Sequence, residues 1–305
     1  MKWNPTDPGA IASAIAELHH KSQKKHWHSR VDECLQLIRE GADVNGVAHK
    51  STPIMFAASL GHLEMVRILL EHGADVNGGR QYNTPLLAAL DFPEVKLSLL
   101  EHGAQLTIFT AVAEEDVEEV RRQVECDRSL VGARDEVDLS LLHHACMRLR
   151  TDVIRLLVEM GAEVNAVAAE SFGIQPIHCA ARHSEGNAEA IILLVHHGAD
   201  VNARNAYRVT PLHMAVRDRS VEGVKILLEN GADANAEDRG RGSTPLRRAV
   251  ANTGRGGAGG KKSEAVEIIR LLLERGADPH HVNRNGKNLV DSAQDPQIRQ
   301  ILSEF

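Results

Sequence analysis

Thr210-Pro211-Leu212-His213-Met214-Ala215 and, further along, Gly231-Ala232-Asp233-Ala234-Asn235 carry the reading of the fold. Thr210 has the side chain of a helix N-cap, and Pro211 suits the first helical position, where its missing N–H costs nothing. Ala215 is small enough to let neighbouring helices approach. Val221, Val224, Leu227 and Leu228 then form an apolar stripe at helical spacing. Gly231 stands where a left-handed residue closes a helix. One such helix pair cannot bury both of its faces, so copies must stack.

The copies are present. Gly-Ala-(acidic)-x-Asn recurs at Gly41–Asn45, Gly73–Asn77, Gly161–Asn165 and Gly198–Asn202, with weaker forms at Gly103 and Gly276. The leading word recurs at Thr52-Pro53-Ile54, Thr84-Pro85-Leu86, Ser140-Leu141-Leu142-His143, Gln175-Pro176-Ile177-His178 and Thr244-Pro245-Leu246. The period is 33 residues from Gly198 to Gly231 and 32 from Gly41 to Gly73.

This pattern resembles the ankyrin repeat, and the resemblance covers nearly the whole chain. It implies an all-α solenoid of stacked helix-turn-helix units joined by hairpin loops. About nine units are expected, forming one domain over residues 1–305: an N-terminal capping unit at 1–45, repeats over 46–280, and a C-terminal capping unit at 281–305. With packing steps of about 8–10 Å, such a stack forms a curved rod roughly 70–90 Å long. The first unit is expected to hold helices at Ala10–His20 and Val31–Glu40, and the last to begin at Asn288. Leu106–Arg134 is degenerate, yet the 58 residues from Gly103 to Gly161 suffice for two shortened units.

Composition agrees with a thin, stacked core. The 305 residues are 43% hydrophobic but only 3% aromatic, so small aliphatic side chains must fill the interior. No apolar run approaches the ~18 residues of a membrane span, and the N-terminus lacks a secretory apolar core. A cytoplasmic location is expected, with the nucleus as the alternative. Cys34, Cys126, Cys146 and Cys179 form no CxxC pair, which suits reduced, mostly buried thiols. Net charge is −7, but Arg204–Lys262 holds 12 basic residues against 6 acidic ones. Glu114–Glu119 is the acidic extreme and reads as a solvated helix face.

Departures from the period mark candidate functional segments. Gly231 to Gly276 spans 45 residues, and 11 of the 12 extra residues fall between the two helices. That insert contains Thr253–Lys262, a glycine-rich basic loop; Lys21–His28 is a comparable basic stretch in the first unit. Gly254–Gly259 matches GxGxxG in letters alone, because a helix rather than a strand precedes it.

The histidines have a structural reading. His143, His178 and His213 occupy the position at which, in the family the chain resembles, imidazole bonds backbone and steadies the junction of hairpin and helix. His72, His102 and His197 precede Gly-Ala at helix ends, where a cation complements the dipole. Equivalent histidines of neighbouring units sit one packing step apart, too far to share a zinc ion at ~2.0 Å each. His19, His20, His26 and His28 cluster locally but have no acidic or cysteine companion, so no metal and no cofactor is expected. No GxSxG, HExxH or paired-cysteine signature is present, so no catalytic residue is assigned.

The resemblance implies instead a concave face, built from hairpin tips and the exposed ends of first helices, that binds a partner. Carried over by position, its candidates at hairpins are Arg80, Tyr82, Phe172, Tyr207, Arg208 and Arg241. Those on helices are Phe92, Arg148, Arg182, His183 and Arg217. Tyr82 and Tyr207 are the only two tyrosines, and tyrosine and arginine dominate interface hot spots. Arg148, Arg182 and Arg217 fall at nearly equivalent places in consecutive units, a row able to grip carboxylate or phosphate. The expected function is a non-catalytic, monomeric protein–protein interaction scaffold that captures an acidic segment of another protein. The alternative is a binder of a small anion, or an unusual enzyme, using Arg148, Arg182, His183 and Arg217 with the glycine loop as a flap. Nucleic acid is disfavoured, since aromatics do not interleave with the basic residues as stacking platforms would.

Overall fold

The computed structural model describes residues 4–20, 27–49, 51–79, 82–251 and 262–305, without the side chains of 17–20, 27–30 and 262. It divides into two compact units, Met1–Glu119 and Val120–Phe305. Among the described residues every regular element is helical, with only isolated antiparallel bridges such as Ala168 to Ile174 at the necks of hairpins.

In the first unit, helices pair as α1 (Ala10–His20) with α2 (Trp27–Arg39), α3 (Pro53–Ser59) with α4 (Leu63–Glu71), and α5 (Pro85–Ala88) with α6 (Pro93–Glu101). The inner members α1, α3, α5 and α7 (Ile108–Glu114) stack in order, and α4 packs on α6. Ile11, Ile15, Cys34, Ile54, Met65, Leu69, Leu86 and Leu99 fill the space between them. Helix α2 begins at Trp27, four residues before the expected Val31, so it takes up part of the basic stretch 21–28. Residues 21–26 lie outside the described residues.

Helix α8 (Val117–Cys126) runs across the boundary between the units. In the second unit, inner helices α9 (Leu141–Met147), α11 (Pro176–Ala180), α13 (Pro211–Arg217) and α15 (Pro245–Ala251) stack in order. So do the outer helices α10 (Thr151–Glu159), α12 (Ala188–His196), α14 (Val221–Glu229) and α16 (Lys262–Glu274). Helices α17 (Leu289–Ser292) and α18 (Pro296–Ser303) close the end. The stretch from Gly103 to Gly161 thus holds four helices, α7 to α10, of which α9 and α10 pack together. Its oddity has a local cause. Thr107, where the asparagine of the repeat would stand, caps α7 directly by accepting from the Thr110 N–H at 3.2 Å, so that unit has no hairpin.

The insert before Gly276 is divided differently from the expectation. Helix α16 has 13 residues against 9 for α14, so part of the extra sequence lengthens the helix and only 252–261 separate it from α15. Those ten residues lie outside the described residues.

Each glycine stop behaves as the motif requires. Gly231 has φ +86°, and the matching glycines 41, 73, 103, 161, 198 and 276 lie between +82° and +94°. The asparagine four residues on ties one repeat to the next. Asn202 donates from Nδ2 to the Gly231 carbonyl at 3.0 Å and accepts the Asp233 N–H at 2.8 Å. Asn45, Asn77, Asn165 and Asn235 make the same pair of bonds to Gly73, Gly103, Gly198 and Gly276 and the residues two beyond them. Replacing Asn202 by Ala removes both bonds at an exposed site, and a loss of about 1–2 kcal/mol is expected. Urea titration checks it, and a loss below about 0.3 kcal/mol would mean that water replaces the bridge without cost.

Candidate functional site

The hairpin-to-helix junctions of the second unit are built around three buried imidazoles. His213 Nδ1 accepts the Thr210 N–H at 3.2 Å, while its Nε2 donates to the Ser243 carbonyl of the next hairpin at 3.0 Å. His143 and His178 repeat this, with Nε2 donating to Ile174 at 3.2 Å and to Val209 at 3.1 Å. Burial pushes His143 and His213 down to about 4, and lowers His178 as well. All three are therefore neutral ties between repeats, as their position in the motif implied. At the helix ends, His72, His102 and His197 act through hydrogen bonding. Each Nδ1 bonds the carbonyl four residues earlier, at 2.8, 2.7 and 2.8 Å, and Asn230 does the same with Nδ2 at 2.8 Å.

Burial sets the chemistry of two of the thiols. Cys34, Cys146 and Cys179 are buried and Cys126 is exposed, and none of the four is in a disulfide. Burial raises the Cys146 thiol well above its ordinary value and pushes Cys179 up to about 12, so neither is a thiolate near neutrality.

Above the junctions, the hairpins of the second unit are fastened to one another. Arg134 donates to the Val167 carbonyl at 2.8 Å, and Ser171 Oγ to the Val137 carbonyl at 2.7 Å. The Ala206 N–H reaches Phe172 O at 2.8 Å, the Arg239 N–H reaches Tyr207 O at 2.7 Å, and the Arg284 N–H reaches Arg241 O at 3.1 Å. The result is a strip of tied loops rather than separate fingers.

Phe172 and Tyr207 come together on that strip. Their ring centroids are 5.4 Å apart at 39°, and they are 59% and 53% exposed. Rings in tilted contact on tied backbone are preorganised contact area. Arg208, next in sequence to Tyr207, is exposed, as are Arg204, Arg239 and Arg241. Below Tyr207 opens a cleft of about 350 Å³ lined by Asn205, Tyr207, Val209, Met214, Arg217, Asp238, Gly240 and Arg248. Its charges are matched inside the chain. Arg217 grips Asp218 from Nε at 2.8 Å and from Nη2 at 3.1 Å, and Arg248 holds Asp238 at 2.9 Å.

The other candidates are placed differently. Tyr82 is half-buried with its ring 4.7 Å from that of the buried Phe109, and Phe92 is half-buried against the core of the first unit, its ring over Gly61. Arg182 is exposed, with Arg148 and His183 half-buried. Arg182 and Arg217 each lie seven residues past their N-caps, Gln175 and Thr210, whereas Arg148 lies eight past Ser140, so Met147 holds the equivalent place. Arg80, the glycine loop 253–261 and the local histidine cluster fall on residues or side chains outside the described ones.

Comparison with known proteins agrees with the repeat geometry. A family model described as ankyrin repeats (three copies) matches residues 25–110 and 108–205. The chain belongs to the ankyrin repeat family. Models described as ankyrin repeats (many copies) and ankyrin repeat match 193–249 and 241–284. The B-cell lymphoma 3 protein homolog of Mus musculus is 33% identical over 154 residues, 50% of this chain and 32% of its own length. Ankyrin repeat and SOCS box protein 16 of Mus musculus is 35% identical over 170 residues, 54% of this chain and 36% of its own. The chain thus spans about a third of the length of these curated relatives. A crystal structure of an ankyrin repeat domain from Acinetobacter baumannii AYE aligns with a TM-score of 0.56 and 26% identity, covering 65% of this chain and 96% of that one. Ankyrin repeats are in general protein–protein interaction modules, and no described helix is long and apolar enough to cross a membrane.

Proposed function

We propose that the chain is a non-catalytic scaffold that captures an acidic segment of another protein on the hairpin and first-helix face of its second unit. One observation carries this reading. Arg208, Arg239 and Arg241 make no side-chain hydrogen bond or ion pair among the described residues, yet they stand on two neighbouring hairpins joined by the Arg239 N–H to Tyr207 O bond, the first of which carries Tyr207 of the exposed aromatic pair. Unpaired guanidinium groups beside rigid rings are the chemistry of interface hot spots. The small-anion alternative draws less support, because Arg217 is already held bidentately by Asp218.

Affinity purification of the full chain from its native source, with quantitative mass spectrometry, tests the proposal. A partner rich in Asp and Glu should fall at least tenfold in recovery with Tyr207→Ala, and again with Arg208→Glu. Recovery unchanged by both substitutions would place the docking elsewhere.

A further inference from the structure

The electrostatics of the strip differ between its interior and its rim, and that difference specifies what a partner must look like. Inside the cleft below Tyr207 every charged side chain has an internal partner. Asp238 receives Arg248 on Oδ2 and the Ser243 N–H on Oδ1, at 2.9 and 3.1 Å, and Arg217 is closed on Asp218. A charged group entering the cleft would give up its water and find no unpaired opposite charge in exchange. What remains is the Tyr207 ring, Val209, Met214, Gly240 and Asn205, whose Oδ1 already accepts the Tyr207 and Val209 N–H groups at 3.0 Å each. A cavity of about 350 Å³ lies at the small end of ligand clefts and accommodates one large apolar side chain.

On the rim the situation reverses. Arg208, Arg239 and Arg241 extend into solvent from hairpins whose main chains are tied, with no carboxylate holding them among the described residues. Their attraction for anions is intact, and the loops that present them lose little entropy on binding. Charge complementarity therefore selects acidic groups around the mouth of the cleft and excludes them from its floor.

We infer that the cleft between the 205–209 and 238–243 hairpins is an anchor pocket, taking one aromatic or large aliphatic side chain of a partner segment whose neighbouring residues are Asp or Glu. This deepens the interaction proposal above and rests on it. The occupant is an acidic peptide stretch of another protein with a single apolar anchor.

Gly240 allows a direct test. It is exposed, lines the cleft, lies outside the left-handed φ region, and a Cβ built on it meets only Asp238 Oδ1, at 3.6 Å. Gly240→Trp should therefore fill the cleft without disturbing the core. Random twelve-residue peptides displayed on phage are selected on the full chain, and the enriched sequence is synthesised with a fluorescent label. The expected consensus is one Phe, Leu, Met or Trp with at least two Asp or Glu close by. Its affinity should fall at least tenfold with Gly240→Trp and with the Arg208→Glu/Arg241→Glu pair, and change less than twofold with Lys225→Ala, an exposed position on the outer helix α14. Circular dichroism and the urea midpoint confirm that each variant is folded. A consensus without an apolar residue, or without acidic ones, overturns the inference. So does a peptide that binds Gly240→Trp normally but is lost with Arg182→Ala, in which case the interaction reading stands and only the pocket is wrong. Failure to enrich any peptide also overturns it, and leaves the broader reading to the affinity-purification result.

Discussion

Lowering the pH from 7.5 to 5.0 is expected to destabilise the second unit by about 4 kcal/mol through two histidines alone. The folded values of His143 and His213 are depressed from 6.5 to about 4 by burial. Between those limits the unfolded chain binds more protons than the folded one, so stability rises with pH there and is lost as pH falls. Each residue contributes about 2 kcal/mol at pH 5 by that linkage. The structural cause is specific. Nδ1 accepts the backbone N–H of its own helix cap, from Ser140 at 3.1 Å and Thr210 at 3.2 Å, so a proton on Nδ1 would face another N–H. His178 adds to the slope in the same direction. Urea midpoints across pH 4.5–8 measure the effect. The His143→Gln/His213→Gln double variant should be less stable at pH 7.5 and show a flatter dependence. A wild-type midpoint independent of pH above 5 would show that these rings are not neutral ties.

Truncating Leu227 to Ala is expected to cost about 3–5 kcal/mol. Leu227 is fully buried in α14, which packs on α13 of its own repeat and on α12 and α16 of the two flanking ones. A cavity there loosens three repeats at once, and short inner helices of five to seven residues have little freedom to close it. Ile192, on α12 but 39% exposed, is the control, with a loss below about 1 kcal/mol on replacement by Ala. Equal losses at the two positions would contradict a shared interior between stacked pairs.

The features legible in the sequence are those whose physics is local and repeated. The N-cap, the first-turn proline, the apolar stripe of α14 and the positive-φ glycine each act within one 33-residue period, so five or more copies make them unmistakable. Boundaries were less legible where the period breaks. The early start of α2 and the added length of α16 fall in basic or mixed-charge stretches that carry no stop signal. The surface was legible in part. Phe172 and Tyr207 stand out by composition, but their ring contact accompanies backbone bonds between residues 32 and 34 positions apart. Arg217 looked available, and its pairing with the adjacent Asp218 is a matter of rotamer. The cleft itself could not be read at all, since it exists only where two hairpins and the end of α13 meet.

Hydrogen–deuterium exchange of the full chain, alone and with the protein recovered by affinity purification, tests the central claim most directly. Slower exchange is expected in peptides covering 205–209 and 237–243, with little change in the outer helices α12 and α14. Protection confined to those outer helices, with the hairpins exchanging as before, would contradict it.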